Sequence, residues 1–259
     1  MRSMSTYSNN FNNFDKFGET DRAAYRLLHS GLVFSVVAYK ESDLHIGAPE
    51  PLATRVWAKA KEALPEVRRP LDAYASAHPH FVKTLLPFPA MPDMPPIARA
   101  MALSSARVGV GPMAAVAGAV NDFLAPELLP LADELIIENG GDLYIKTKSE
   151  RTVLVYAGPS PLSGRLGIRV PGGTWGLCTS SATVGPALSF GKTDAALVVA
   201  ESSALADAAA TGLGNRVVVC GDIGGALEWT LGISGVYGAL AVLGGAFGAM
   251  GDLELVKLF

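Results

Sequence analysis

The sequence is poor in charge and in cysteine. Only 17% of its 259 residues are charged, whereas about a quarter is usual for a globular protein. Hydrophobic residues make up 49%, which is enough apolar surface to exclude disorder of the whole chain. Two cysteines, Cys178 and Cys220, cannot form a disulfide scaffold, so we expect a reduced, cytoplasmic protein. Lysine and arginine number 21 against 24 acidic residues, and this balance excludes the basic surface of a nucleic-acid-binding protein.

Two segments superficially resemble targeting or membrane signals. Residues 1–17 are rich in Asn and Ser and have no apolar stretch, which excludes a secretory signal peptide. Residues 229–251 carry no charge and reach the length of a membrane span. Seven of them are glycine, which disfavours a helix. We therefore predict no membrane span but a strand, a glycine-rich turn over 244–251 and a closing strand over 253–258.

Apolar periodicity and proline placement predict the first elements of the fold. Leu32–Tyr39 is a β-rich run, and residues 44–46 form its partner across a turn. The basic residues between positions 55 and 69 alternate with glutamates, so we assign them to a solvated face. Five prolines between positions 87 and 96 require an extended connector. Helices are expected over three segments, 51–64, 70–81 and 96–106.

A pattern of helix, strand and Gly-Asp step occurs twice along the chain. The two Gly-Asp steps end at Asp142 and Asp222, 80 residues apart. We interpret the pattern as a tandem duplication of one helix–strand unit. The predicted elements of the two copies are the helices 111–123 and 203–213, followed by the strands 134–137 and 216–219.

This organisation predicts an α+β fold. Residues 1–20 are expected to be a disordered lead-in. Residues 21–259 then form one domain of two similar halves, which meet at about residues 150–165.

The first candidate site is the sequence Glu138-Asn139-Gly140-Gly141-Asp142 at the end of a predicted strand. Two glycines allow the backbone to approach a ligand closely and to turn its amides toward phosphate or ribose oxygens. Asn139 and Asp142 then fix a polar ring edge or a hydroxyl. The alternative is an ordinary hairpin turn, because Asn-Gly and Gly-Asp form turns on their own.

The second candidate site is the pair Asp207 and Thr211. Residues four apart lie on one face of a helix, so the Asp207 carboxylate and the Thr211 hydroxyl can contact one small ligand. Hard oxygen ligands at that spacing suit Mg²⁺, which completes its shell with water and substrate phosphates. The alternative is that Asp207 caps a helix that begins there and that Thr211 is buried beside it.

The third candidate site is a run of small hydroxyl side chains from Thr179 to Thr183, directly after Cys178. Such a run lines a pocket with donors and acceptors, but ordinary turns also use it. His78 and His80 flank a proline, and for them a solvent-facing turn is favoured over a metal site.

Taken in order, these motifs resemble the ApbE superfamily, whose best-known members are FAD:protein FMN transferases. Asn139-Gly140-Gly141-Asp142 is similar to the family's N-x-GGD strand end, and Thr179-Ser180-Ser181 is similar to its T-S-G step. Asp207 to Thr211 matches its D-x-x-x-T metal motif. Residues 111–118 are similar to its G-G-I-A-K-G segment, with Ala114 at the alanine whose carbonyl contacts the metal.

The resemblance implies a duplicated α+β unit of the tunnelling-fold type around an antiparallel sheet. It also implies Mg²⁺ held by Asp207, Thr211 and Ala114. FAD, FMN or another small-molecule nucleotide would be the ligand, with FMN transfer from FAD as the activity. The residues implied for the nucleotide are Asn139, Gly140, Gly141, Asp142, Thr179 and Ser180.

The sequence also departs from the family pattern. The family's lysine falls on Ala115, and its H-x-x-D-P-x-T-G segment is reduced to residues 188–194, which contain no histidine. These changes remove catalytic and FAD-contacting groups, so the chain is most like a short, uncharacterised branch of the superfamily. The alternative to a transferase is a non-catalytic nucleotide-binding or carrier module. No nucleophile or general base is assigned, and the oligomeric state, a homo-oligomer included, stays open.

Overall fold

The computed structural model describes residues 31–184 and 189–258, so the expected lead-in at 1–20 lies outside the described residues. Eight strands form one sheet in the order β1-β2-β3-β4-β7-β8-β9-β10, with every neighbouring pair antiparallel. The other three form a small sheet in the order β11-β6-β5. The strands are β1 (Leu32–Tyr39), β2 (Ser42–Pro49), β3 (Leu135–Asn139), β4 (Asp142–Thr147), β5 (Arg151–Leu154), β6 (Leu166–Val170), β7 (Gly173–Ser180), β8 (Ala195–Ala200), β9 (Val236–Leu243), β10 (Ala246–Gly251) and β11 (Glu254–Lys257).

The large sheet is covered on both faces. Its helical face buries side chains such as Ile137 and Val198 against Leu124 and Leu205. On the opposite face, Ile145 belongs to a second core shared with the small sheet. The predicted α+β class, with helices around an antiparallel sheet, is confirmed. The helices are α1 (Glu50–Ala77), α2 (Pro79–Lys83), α3 (Pro96–Val108), α4 (Val116–Leu128), α5 (Ser203–Gly214) and α6 (Ile223–Leu231), with 3₁₀ turns at Pro112–Ala115 and Cys220–Asp222.

The chain runs twice through the same order of elements. In each pass a hairpin is followed by helices and then by a second hairpin, so each pass supplies four neighbouring strands of the large sheet. The first pass is β1-β2, α1 to α4 and β3-β4. The second is β7-β8, α5, α6 and β9-β10. The repeated unit is therefore a pair of hairpins around helices, and not the single helix–strand unit that the sequence suggested.

The predicted strand at 216–219 was wrong. Val218 and Val219 donate both of their amides to the Asp222 carboxylate, each at 2.9 Å, and the Val217 carbonyl accepts from Lys192. These hydrogen bonds occupy the backbone N–H and C=O groups that a strand would use to pair with a neighbouring strand. The segment leads into a 3₁₀ turn instead.

The helix predicted at 51–64 and most of the helix predicted at 70–81 form one continuous helix, α1, with Pro65 and Pro70 inside it, while residues 79–81 belong to α2. A proline removes one backbone donor and frees the carbonyl four residues earlier. Those carbonyls belong to Lys61 and Glu66, which are both exposed, so water can satisfy them. Arg68 was also assigned wrongly to the solvated face. It is 9% exposed and bonded to Ser42, Glu41 and Asp72.

Other predicted elements are confirmed. Strands β1 and β2 pair from Leu32↔Pro49 to Tyr39↔Ser42, and the proline-rich connector has no regular structure before α3. Near the carboxyl end, the predicted turn over 244–251 is shorter than expected. Gly244 and Gly245 connect β9 to β10, and β11 lies within the predicted closing strand.

Across the described ranges, no single helix is long and apolar enough to cross a membrane. Helix α3 and the segment Pro112–Leu128 pass that test of length and composition only as a pair, and the pair is bent by 103°.

Helices α4 and α5 cap each other. The Asp122 carboxylate of α4 accepts hydrogen bonds from the Ser203 and Ala204 amides at 3.0 and 2.9 Å, which are the first amides of α5. In return, the Asp207 carboxylate of α5 accepts from the Gly118 amide at 3.0 Å, in the first turn of α4. Such bonds satisfy amides that have no partner inside their own helix. The helices cross so closely that a Cβ at Gly118 would lie 2.2 Å from the Ser203 carbonyl oxygen.

Candidate functional site

The three motifs converge where the first half of the sheet joins the second. Strand β4 pairs with β7 in a register that sets Asp142 opposite Cys178. The β3–β4 turn therefore lies beside Thr179, and a Cβ at Gly141 would be 3.6 Å from the Thr179 carbonyl oxygen. Helix α5 packs across β7 and β8, and so adds Asp207 to the same place.

The Asn139–Asp142 motif is a two-residue hairpin turn. Asn139 pairs with Asp142, and Gly140 and Gly141 have φ values of +68° and +108°, a conformation that favours glycine. The Gly141 amide donates to the Glu138 carboxylate at 3.2 Å. The hairpin interpretation is thus confirmed. At Gly140 the turn is open, because a Cβ added there would have no atom within 4 Å.

Asp142 sits in an unfavourable place for a negative charge. The Cys178 side chain and the Thr179 amide, which adjoin Asp142 across the β4–β7 pair, favour the ionised form. Burial outweighs them and, with a contribution from Glu138, raises the pKa of Asp142 to about 7. The group therefore changes its protonation state near neutral pH.

Asp207 lies within α5 and does not cap that helix. The helix begins at Ser203 and its N-cap is Ser202, whose side chain accepts from the Leu205 amide, so the capping alternative for Asp207 is wrong as it stood. Burial raises the pKa of Asp207 well above its usual value, and the charge of Asp142 raises it further, despite the amides of Ala117 and Gly118. Asn139 Nδ2 donates to the Ala117 carbonyl at 3.3 Å, next to the Gly118 amide that binds Asp207, so the β3–β4 turn lies beside the first turn of α4.

The remaining predicted residues lie on the elements that carry Asp142 and Asp207 or on elements that adjoin them. Thr211 is one helical turn beyond Asp207 and partly buried. Ser180 ends β7, and its Oγ would be 3.9 Å from a Cβ at Gly214 in the last turn of α5. Ala114 belongs to the 3₁₀ turn that leads into the Ala117 and Gly118 amides.

Not all predicted polar residues contribute to this site. Ser181 accepts hydrogen bonds from the Thr183 and Val184 amides, which is an ordinary turn. His78 stacks on Tyr74 with ring centroids 4.0 Å apart. In the part of the chain that the structure describes, no three histidine, cysteine, aspartate or glutamate side chains gather as a metal site. The D-x-x-x-T set is of another kind, because it combines a carboxylate with hydroxyl and carbonyl oxygens.

Sequence reasoning missed Asn121 and Asp122. Asn121 is fully buried and its Nδ2 donates to the Asp142 carbonyl at 2.8 Å, while its Oδ1 has no hydrogen-bond partner. Asp122 caps α5, and burial raises its pKa. One signal was available. Gly118-x-x-x-Asp122 and Ser203-x-x-x-Asp207 have the same spacing, and each aspartate caps the helix on which the other one lies.

A family model described as "AbpE bacteria" matches residues 26–223. The chain belongs to this ApbE-like family. Its relatives include a UPF0280 protein of Methanocella arvoryzae, 41% identical over 194 residues, which cover 73% of this chain and 78% of the relative. A second UPF0280 protein, from Methanococcus aeolicus, is 37% identical over 206 residues, or 76% and 83% of the two chains.

The ApbE-like chain is also similar to two solved structures. One is the flavin transferase ApbE from Vibrio cholerae, with a TM-score of 0.49 and 13% identity over 85% of this chain and 96% of that one. The other is the apo form of the Pseudomonas stutzeri flavinyl transferase ApbE, with a TM-score of 0.46 and 14% identity over 85% and 94% of the two chains.

The raised pKa of Asp142 predicts a stability that falls as the pH rises. Between its ordinary value of 3.8 and about 7, the unfolded chain has lost this proton and the folded chain keeps it, so folding is penalised increasingly up to pH 7. Asp142→Asn removes the titration. In guanidinium unfolding with a chelator present, we expect the variant to gain on the order of 2 kcal/mol relative to the parent between pH 5 and pH 8.

Asp133 provides the control, because its ion pair with Lys148 lowers its pKa. Asp133→Asn should not gain stability over the same pH range. A constant difference between Asp142→Asn and the parent protein would contradict the prediction.

Proposed function

We propose that this ApbE-like protein binds FAD or another flavin-type nucleotide together with Mg²⁺ where the two halves meet, and that it transfers FMN from FAD. The observation that carries the proposal is the hydrogen bond from Asn139 Nδ2 to the Ala117 carbonyl at 3.3 Å, which sets the β3–β4 turn beside the Gly118 amide that binds Asp207. Motifs that are far apart in the sequence thus lie on neighbouring elements, which supports a common ligand site.

The groups at this place suit a hard cation. Asp142 and Asp207 supply carboxylate oxygens, Thr211 supplies a hydroxyl and Ala114 a carbonyl, and oxygen ligands are those that Mg²⁺ prefers. Two carboxylates that repel each other in a poorly hydrated site are also stabilised by a positive ion between them. Asp207, Thr211 and Ala114 would hold the metal, and a bound Mg²⁺ would neutralise phosphate charge at the reacting bond.

The charges of the site explain why a nucleotide would need the metal. Glu138, Asp142 and Asp207 present carboxylates, and the Gly141 amide is already bonded to Glu138. A diphosphate without a counterion would meet repulsion here. The Gly140 side of the turn is open, so a ligand can approach its backbone without displacing a side chain.

The second candidate function is a nucleotide-binding or carrier module without transferase chemistry. It is favoured by the absence of a histidine from residues 188–194 and by Ala115 at the position of the family's lysine. It shares the ligand site of the first candidate, and the two differ only in whether a bond of FAD is broken.

A substitution at each of the two aspartates that cap α4 and α5 separates ligand binding from helix capping. Asp207→Asn keeps the size of the side chain but removes its charge, so Mg²⁺ affinity in the presence of FAD should fall about tenfold or more. Asp122→Asn is the matched control. It leaves one of two α5 amides without an acceptor and should cost about 1–3 kcal/mol of stability while Mg²⁺ affinity is kept. Titration calorimetry and thermal unfolding measure both, and unchanged Mg²⁺ binding in Asp207→Asn would contradict the metal site.

A substitution at Gly140 tests whether a ligand binds at the open side of the hairpin turn. Asparagine tolerates the φ of +68° at Gly140, and its Cβ would meet no atom within 4 Å, so Gly140→Asn should fold with nearly unchanged stability. If the ligand contacts this backbone, FAD affinity should still fall. Gly164→Asn, at a φ of +72° in similarly open space, is the control and should bind FAD normally. Equal affinity in both variants would mean that the turn is only structural.

An assay of FMN transfer to a peptide separates the two candidate functions. The protein is incubated with FAD, Mg²⁺ and a peptide that contains serine and threonine, and the peptide is then weighed by mass spectrometry. A mass gain equal to one FMN group, lost when the metal is chelated, is the result expected of a transferase. FAD binding by calorimetry without any mass gain would favour the carrier module.

A further inference from the structure

Residues 190–192, just before β8, are held against the end of α5 by their backbone. The Phe190 amide donates to the Asn215 side-chain carbonyl at 2.8 Å, and the Lys192 amide donates to the Val217 carbonyl at 2.8 Å. Between them, a Cβ at Gly191 would lie 1.9 Å from the Gly214 carbonyl oxygen, so the loop lies directly against the helix end. The position of Phe190 is therefore set by main-chain contacts and does not depend on burial of its ring.

The Phe190 ring is largely exposed. Its side chain is 60% accessible, and it belongs to neither of the two hydrophobic cores. The exposed Phe190 ring contributes little to the stability of the fold, because its apolar surface is not removed from water on folding. This surface is available to a flat apolar ligand.

Phe190 stands at the end of the helix face that carries the proposed metal residues. Asp207, Thr211 and Asn215 follow one another at intervals of four residues, and the Asn215 amide donates to the Thr211 carbonyl at 3.0 Å. These three residues therefore lie along one side of α5 and its end. At 1.5 Å of rise per residue, Asn215 is about 12 Å along the helix from Asp207.

We propose that Phe190 is the platform on which the heteroaromatic ring of the nucleotide stacks, while its diphosphate lies near Asp207 and Thr211. The diphosphate together with a ribose or ribityl spacer spans a distance of this order. The inference rests on the proposed function, which it deepens by giving the ring end of the ligand a place. Stacking on an aromatic side chain accepts any planar base, so Phe190 supplies affinity for flavin and adenine rings alike.

The experiment compares ligands with and without a ring. Calorimetry with Mg²⁺ measures the affinity of the parent protein, Phe190→Ala, Phe190→Trp and the control Tyr237→Ala for FAD, ADP and inorganic diphosphate. Tyr237 is another partly exposed aromatic residue. Its ring packs against Trp175, toward the end of β7 opposite to Ser180. Phe190→Ala should weaken FAD or ADP about fivefold to 150-fold and leave diphosphate unchanged. Phe190→Trp should retain the affinity, as should Tyr237→Ala.

Two other outcomes would overturn the proposal in different ways. If the parent protein binds FAD and diphosphate with Mg²⁺ and Phe190→Ala does not change either affinity, the ring platform is refuted while the nucleotide site stands. If the parent protein binds none of the three ligands, the proposed function is refuted and the platform with it. Because Phe190 is exposed, Phe190→Ala should unfold at the parent's temperature, and thermal unfolding verifies this.

Discussion

The pairing of β4 with β7 is the constraint on which the rest of the structure depends. In the residues that the structure describes, these are the strands through which the first four strands of the large sheet meet the last four. Their register sets Asp142 opposite Cys178 and Thr147 opposite Gly173. A shift by one residue would turn the buried side chains of β4 to the other face of the sheet. It would also remove the Thr179 amide from Asp142, so the architecture and the candidate site are determined by the same ladder.

The parts of the fold that follow from local rules could be read from the sequence. The run Leu32–Tyr39 has the composition of a strand and is one, and α3 begins where Pro96 allows a first turn. The errors arose where a distant contact overrides the local preference. Residues 216–219 have strong strand character, but the Asp222 carboxylate takes their amides. Helix α1 continues through Pro65 and Pro70 because one face is anchored by packing of residues such as Leu64 and Leu71, which the rule for isolated helices does not include.

The candidate site divides in the same way. The Gly140–Gly141 turn and the four-residue interval between Asp207 and Thr211 are local, so the sequence displays them. Their convergence is not local, because it requires the β4–β7 register and the packing of α4 on α5. Asp122 was missed for this reason, since the amides it binds are 81 and 82 residues further along the chain. Asn121 gave no signal, because nothing in a helical sequence shows that its side chain will reach the Asp142 carbonyl.

The mutual capping of α4 and α5 has a consequence for which substitutions this protein can accept in evolution. Each half of the chain begins its helix with help from a carboxylate of the other half, so a substitution in one half can weaken a helix of the other. The two aspartates nevertheless differ in what depends on them. Asp122 caps α5, and on our proposal it has no further role, so another short acceptor can be tolerated wherever stability is in surplus. At Asp207, helix capping and, on our proposal, ligand binding depend on one side chain, so this position can accept fewer substitutions than Asp122.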